Sequence, residues 1–154
     1  MSKIEDARSI LRAVGMPGAQ QSLICAFSLL AMSNIKESTD WNAASTSWIR
    51  IHDILEFIRD EYGVKYAENS RETFRKQALH HFRNAALIED NSEPTNSPNY
   101  RYRITVETQA LLRSFASATW ASELDKFLSN HKALIEVYAS KKEVTAIYAR
   151  GPSS

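Results

Sequence analysis

One cysteine, four glycines and four prolines are all this chain of 154 residues has of the types that cross-link, loosen or interrupt a fold. A lone thiol, Cys25, excludes an intrachain disulfide and argues against a cysteine-based zinc site. It lies in an apolar run, as expected of a buried, inert thiol in a reducing, cytoplasmic compartment. No apolar stretch approaches the roughly 18 residues of a membrane span. The opening residues MSKIEDARSI carry acids and no apolar core, unlike a secretory signal. A formal net charge of +1 excludes a general polyanion binder. There is no internal repeat and no low-complexity segment. With 44% apolar residues the chain can bury one core. The expectation is a single mainly helical domain over residues 1–150, with 151–154 (GPSS) a disordered tail.

Catalytic groupings are equally scarce. His80 and His81 are adjacent, so on a helix they point about 100° apart, a poor chelate. His52 and His131 are isolated. There is no glycine-rich phosphate loop, and no serine is paired with a histidine and an acid at motif spacing. No catalytic residue, metal ligand or cofactor is assigned to this chain.

Residues 69 to 104 carry most of the information. Asn69–Leu87 reads NSRETFRKQALHHFRNAAL. Asn69 and Glu72 have the spacing of a capping box that starts a helix. Phe74, Ala78, Leu79, Phe82, Ala85 and Ala86 share one side of it. Thr73, Lys76, Gln77, His80 and Arg83 share the other. This stretch holds four basic residues against one acid. Ala86–Asp90 then reads as a short strand and Asn91–Asn99 (NSEPTNSPN) as a turn-rich loop. In Tyr100–Ile104 the apolar positions alternate with Arg101 and Arg103, as in a half-buried strand. Helix, strand, polar loop, strand is the order of a winged helix-turn-helix with a small β-hairpin wing and additional flanking helices. Arg, Lys and Gln on such a helix suit base edges and phosphates in a DNA major groove. The same pattern also suits a solvated surface helix followed by an ordinary hairpin.

The residues themselves resemble a known family. YAENSRETFRKQALHHF (Tyr66–Phe82), with NSP at Asn96–Pro98 and a YRI strand after it, looks like the N-terminal helix-turn-helix domain of BsuBI/PstI-type type II restriction endonucleases. Asn69, Ser70, Arg71, Glu72, Thr73, Arg75, Lys76, Gln77, His80 and Phe82 match the family pattern. Upstream, ILRAVGMPGAQQ (Ile10–Gln21) is similar to its opening. Three departures stand out: Ser22–Cys25 is mostly apolar where the family is polar, His81 replaces a more usual Gln, and the Asn91–Asn99 loop is short and lacks a basic residue. The resemblance implies binding of double-stranded DNA at a short palindrome by a homodimer. It also implies a C-terminal nuclease domain, absent here, that holds Mg²⁺ on carboxylates and a lysine. Consistently, no Lys in this chain follows an Asp or Glu by two positions, and there is no Pro-Asp pair. The expected DNA contacts are Ser70, Arg71, Thr73, Lys76, Gln77, His80, Arg83, Asn96, Ser97, Arg101 and Arg103. A stand-alone transcriptional or controller regulator and a protein-interaction domain are the alternatives.

The remaining expectations are structural. Helices are predicted over Ser2–Val14, Gln20–Asn34 (apolar all round, hence central), His52–Tyr62, Val106–Phe115, Trp120–Leu128 and Ala133–Ala149. Trp48–Ile51 reads as a short strand completing the sheet. Tyr66 reads as a staple on the helix start. Arg75 lies near the apolar side and needs an acid, with Asp60, Glu61 and Glu72 nearby.

Overall fold

A computed structural model gives the structure of residues 2–94 and 96–149, with side chains described as far as residue 141. The expected tail, 151–154, lies outside the described residues. At the centre is α2 (Leu23–Ser33), started by the Ser22 hydroxyl on Cys25 N–H and ended by Asn34 in the left-handed conformation. Every residue from Cys25 to Ser33 is buried. Its two interior hydroxyls return to the helix itself: Ser28 Oγ donates to Ile24 O at 2.8 Å and Ser33 Oγ to Leu29 O at 2.7 Å. A helix with no polar face must be covered on all sides.

Helix α1 (Lys3–Ala13), capped by Ser2, covers one side with Ala7, Ile10 and Leu11. Its buried Asp6 accepts a hydrogen bond from Trp41 Nε1 at 3.1 Å, anchoring the polar connector between α2 and α3. Helix α3 (Ile51–Tyr62) turns Ile51, Ile54, Leu55 and Ile58 inward. Gly63, at φ +73°, closes it in a conformation an L side chain rarely adopts. Helix α4 (71–84) follows a tight turn over Glu68–Ser70. It joins an α-helical turn Arg71–Phe74, a wider π turn Arg75–Leu79 and an α-helical end His80–Asn84. Phe74, Ala78, Leu79 and Phe82 are buried on the expected side, and Tyr66 does act as a staple, edge-on to Phe74 at 5.0 Å.

Strands β1 (Ile88–Asp90) and β2 (Tyr102–Ile104) then pair antiparallel, Ile88 opposite Ile104 and Asp90 opposite Tyr102. Thr105 ties this hairpin to the end of α4, its hydroxyl donating to Ala86 O at 3.0 Å. Helices α5 (Val106–Arg113) and α6 (Trp120–Ala149) complete the fold. His131 on α6 donates through Nε2 to Ala85 O at 2.7 Å, fixing the long helix to the α4 end.

Three local expectations are corrected. The Asn69–Glu72 capping box does not form: Ser70 N–H bonds Ala67 O, and the Glu72 carboxylate turns to Arg75 at 2.6 Å. The Trp48–Ile51 strand shrinks to one bridge, Ile49 with Tyr102, because α3 already begins at Ile51. The two C-terminal helices are one, since no Gly or Pro interrupts them and Asn130 satisfies its own amide on Lys126 O at 2.9 Å. No helix among the described residues is long and apolar enough to cross a membrane.

The central helix generates the stability test. Phe27 is 1% exposed and its ring lies 5.5 Å from that of Tyr62 and 6.4 Å from that of Tyr66. Phe27→Ala should destabilise the protein by about 3–5 kcal/mol in urea unfolding, the cost of lost burial plus a cavity. A loss under about 1 kcal/mol would mean α2 is not the centre of the core.

Candidate nucleic-acid interface

Helix α4 keeps its outer face because its inner face is spent on α2. Lys76, Gln77 and His80 are exposed, and Thr73 is half-buried beside them. The side chains of Lys76 and Gln77 have no hydrogen-bond or ion-pair partner among the described residues, while Asn84 Nδ2 donates to His80 Nε2 at 3.2 Å. Four of the expected contacts therefore share one accessible surface.

A second cluster lies beside the helix start. Arg50, His52, Arg71, Arg75, Asn96, Ser97, Pro98 and Tyr100 line an open groove of about 620 Å³. The start of α3, the start of α4 and the loop between the strands meet there. Sequence reasoning placed Arg71, Asn96 and Ser97 at the interface but missed Arg50 and His52. No spacing rule links the start of one helix to the start of the next, and only the turn through Gly63 brings them together.

Each cation in this groove is held by a nearby acid. Arg71 Nε and Nη2 contact Glu68 Oε2 at 2.8 and 2.7 Å. Arg75 takes Glu72, and Arg50 makes a two-pronged contact with Asp53 at 3.1 Å. The ring nitrogens of His52 face Glu56 at 3.0 Å and Glu68 at 3.1 Å. Partial burial opposes charge on Asp53, but the hydrogen bonds from Arg50 outweigh it and hold its pKa below the usual carboxylate value. On Glu68 desolvation is likewise outweighed by the combined hydrogen bonds and charge of His52 and Arg71, and its pKa is lowered.

The other three expected arginines are placed differently. Arg83 does not join the outer face. At the rim of the buried side, its Nη1 donates to Asp90 Oδ2 at 2.8 Å and to the Tyr100 hydroxyl at 3.0 Å, and that hydroxyl donates to the same Asp90 oxygen at 3.0 Å. The Asp90 side chain is only 3% exposed. Burial pushes the Tyr100 phenol well above its ordinary value, so it stays a donor. Arg103 stacks over Trp48 at 4.0 Å and donates to Glu89 at 3.1 Å, lining a separate cavity with α6. Arg101 folds back onto Pro98 O at 2.7 Å. Arg101 and Arg103 thus turn to different partners instead of presenting a common basic face. No group of three or more His, Cys, Asp or Glu side chains that could hold a metal ion occurs among the described residues.

A family model described as the BsuBI/PstI restriction endonuclease HTH domain matches residues 1–136. The type II restriction enzyme BsuBI of Bacillus subtilis is 36% identical over 150 residues, which are 95% of this chain and 48% of that protein. The type II restriction enzyme AplI of Arthrospira platensis is 28% identical over 141 residues, 90% of this chain and 44% of that one. The structure of SdaI restriction endonuclease matches with a TM-score of 0.79 at 25% identity, covering 91% of this chain and 46% of that one. The chain spans about half the length of these relatives.

The placement of Arg83 yields a prediction that separates it from Lys76. Arg83→Met should lower unfolding stability by about 2–3 kcal/mol, because it strands a buried carboxylate. Lys76→Ala should stay within about 0.5 kcal/mol of the parent, as expected for an exposed, unpaired side chain. Equal stability of the two variants would remove the Arg83–Asp90–Tyr100 network from the account.

Proposed function

Because the chain belongs to the BsuBI/PstI restriction endonuclease HTH-domain family, we propose that it is the double-stranded DNA-binding, target-recognition part of a type II restriction endonuclease. In this reading α3, the turn through Gly63, α4 and the β1–β2 hairpin act as a winged helix-turn-helix within one domain. Helix α4 enters the major groove, and the 91–99 loop is the wing. The observation that supports it best is the exposed polar face of α4, bordered by a cation-lined groove whose arginines are tied by exposed or half-buried acids. Exposed ion pairs are weak, so phosphate oxygens can take over those donors.

The roles divide by side chain. Gln77 and His80 face base edges, Gln suiting adenine through paired hydrogen bonds. Lys76, Thr73, Ser70, Arg71, Arg101, Asn96 and Ser97 contact the backbone, and Arg50 and His52 extend that set. Arg83 and Arg103 support the helix and the hairpin from inside. Cutting, in this reading, belongs to a further domain like the other half of the longer relatives. The acids among the described residues do not fit the Mg²⁺ such a domain would hold, because no three of them come together as a metal site. The working protein would be a cytoplasmic homodimer cleaving a short palindrome.

Selection of bound duplexes from a random pool at moderate salt tests the reading. Enrichment of a short palindrome is expected. No enrichment would favour a protein-interaction domain, and a bound site in a host with no neighbouring nuclease or methyltransferase frame would favour a regulator.

Two further outcomes follow from the same surface. Lys76→Ala should weaken binding to all sequences alike and reduce the log–log salt slope by about 1. Gln77→Ala should cost about 1–3 kcal/mol on the selected site and much less on scrambled duplex, measured by titration of both. Equal loss on the two duplexes would move sequence readout off α4. Purified residues 1–154 with Mg²⁺ should leave plasmid DNA uncut over hours, and metal-dependent cleavage free of contaminants would overturn the division of labour.

A further inference from the structure

The strongest irregularity in α4 lies in the middle of its polar face. In the π turn Arg75–Leu79, His80 N–H donates to Arg75 O, five residues back. Such turns are less favourable than α-helical ones and occur mostly as single turns at functional sites. This one receives support from two other parts of the chain. Gln20 Nε2 donates to Gln77 O at 3.4 Å, and Cys25 Sγ donates to the same oxygen at 3.2 Å. Gln20 comes from the turn Gly18–Gln21 and is 7% exposed, and Cys25 comes from α2 and is fully buried. Burial pushes the Cys25 thiol up from its ordinary value, so it keeps its proton and remains a donor.

The neighbouring amide has a different task. Gln21 Nε2 donates to Met16 O at 2.8 Å, and its Oε1 accepts from Arg12 Nε at 3.4 Å. Of the adjacent pair, Gln21 secures the end of α1 and Gln20 reaches across to α4. Both donors reach only the Gln77 backbone carbonyl and bond no side chain of the DNA-facing set, so their effect on binding must pass through the helix.

We propose that Gln20 and Cys25 are positioning residues for sequence readout: by holding the Gln77 carbonyl from behind, they maintain the π turn and set the angle between the Gln77 and His80 side chains. The inference rests on the DNA-binding reading above. In a regular helix, side chains three apart share a face. Each residue is worth about 100° of rotation, so a turn that takes in one more residue changes how the side chains on either side of it line up. Paired hydrogen bonds to a base edge require that alignment, whereas a lysine reaching a phosphate tolerates its loss. Loss of the two donors therefore lowers discrimination and spares non-specific affinity.

The test uses Gln20→Met with Cys25→Ala, which removes both donors, and Cys25→Ser alone, which leaves Gln20 in place and keeps a donor at position 25. Amide hydrogen exchange of the free protein reads the helix, and titration on the selected and scrambled duplexes reads discrimination. In the double variant, amides of residues 77–81 should exchange several-fold faster while those of α3 are unchanged. The ratio of selected-site to scrambled affinity should fall by about tenfold with scrambled affinity retained, since that is the scale of one base contact. Cys25→Ser should match the parent in both measurements. Uniform acceleration across the core, or equal weakening on both duplexes, would make the two residues ordinary core members and overturn the proposal. Should the parent select no sequence, the DNA reading falls. The exchange pattern then decides alone: acceleration confined to residues 77–81 keeps the clamp on α4, and its absence overturns it.

Discussion

The absence of any polar side on α2 is the constraint from which the rest of the architecture follows. From Cys25 to Ser33 nothing on that helix tolerates water, so α1, α3 and α4 each turn an apolar stripe toward it. Burying large side chains such as Phe27, Leu29, Leu30 and Met32 supplies the main driving force. Directionality is added by a few polar ties at the periphery. Trp41 to Asp6, Tyr62 to Ile35 O at 2.8 Å and Thr105 to Ala86 O each fix one covering element at one angle. Hydrophobic burial is non-directional, and it is these bonds that decide where the ends of α3 and α4 meet.

Helix α4 is thereby asked to satisfy two surfaces at once. Its underside packs on α2 through Phe74, Ala78, Leu79 and Phe82, and its outer side is left with residues that add nothing to the core. The π turn lies where these demands meet. It brings Gln77 O within reach of the buried donors on the α2 side while the Gln77 side chain stays exposed. Tight packing beneath and unspent polar groups above are what a rigid recognition surface needs, because side chains on an anchored helix lose less freedom on binding.

Much of this was legible in the sequence because period and punctuation are strong signals. The apolar run of α2, the Gly63 stop, the apolar stripe of α4 and the alternating Tyr102–Ile104 strand lie where hydrophobic spacing puts them. What escaped depends on side-chain reach and on contacts far apart in the chain. Arg83 looks solvent-facing on a helical wheel, yet its length lets the guanidinium turn to Asp90, which only the hairpin brings close. Arg50 and His52 look like an ordinary helix start until the turn after α3 sets them beside Arg71. The π turn has no propensity signature, since the donors that accompany it lie 57 and 52 residues away. The family resemblance was legible for a different reason: the N-S-R-E-T-x-R core is a string of specific polar residues that no packing pattern requires.

Burial also sorts the basic residues into two populations that sequence alone treats as one. Arg83 and Arg103 face acids whose side chains are 3% and 12% exposed. Releasing Arg83 would leave the buried Asp90 carboxylate without its cation, and Arg103 shares Glu89 with Lys141 at 3.1 Å, so both arginines are tied into the fold. Arg50, Arg71 and Arg75 hold acids that are 35%, 62% and 55% exposed. Water already screens those pairs, and exchanging a carboxylate oxygen for another anionic oxygen costs little. The same arrangement keeps the groove near neutral when empty, in line with a net charge of only +1, and holds down its attraction for any passing polyanion. A surface built this way gains little from charge alone. In the proposed DNA-binding reading, discrimination then falls to the few exposed polar side chains of α4, Gln77 and His80 foremost.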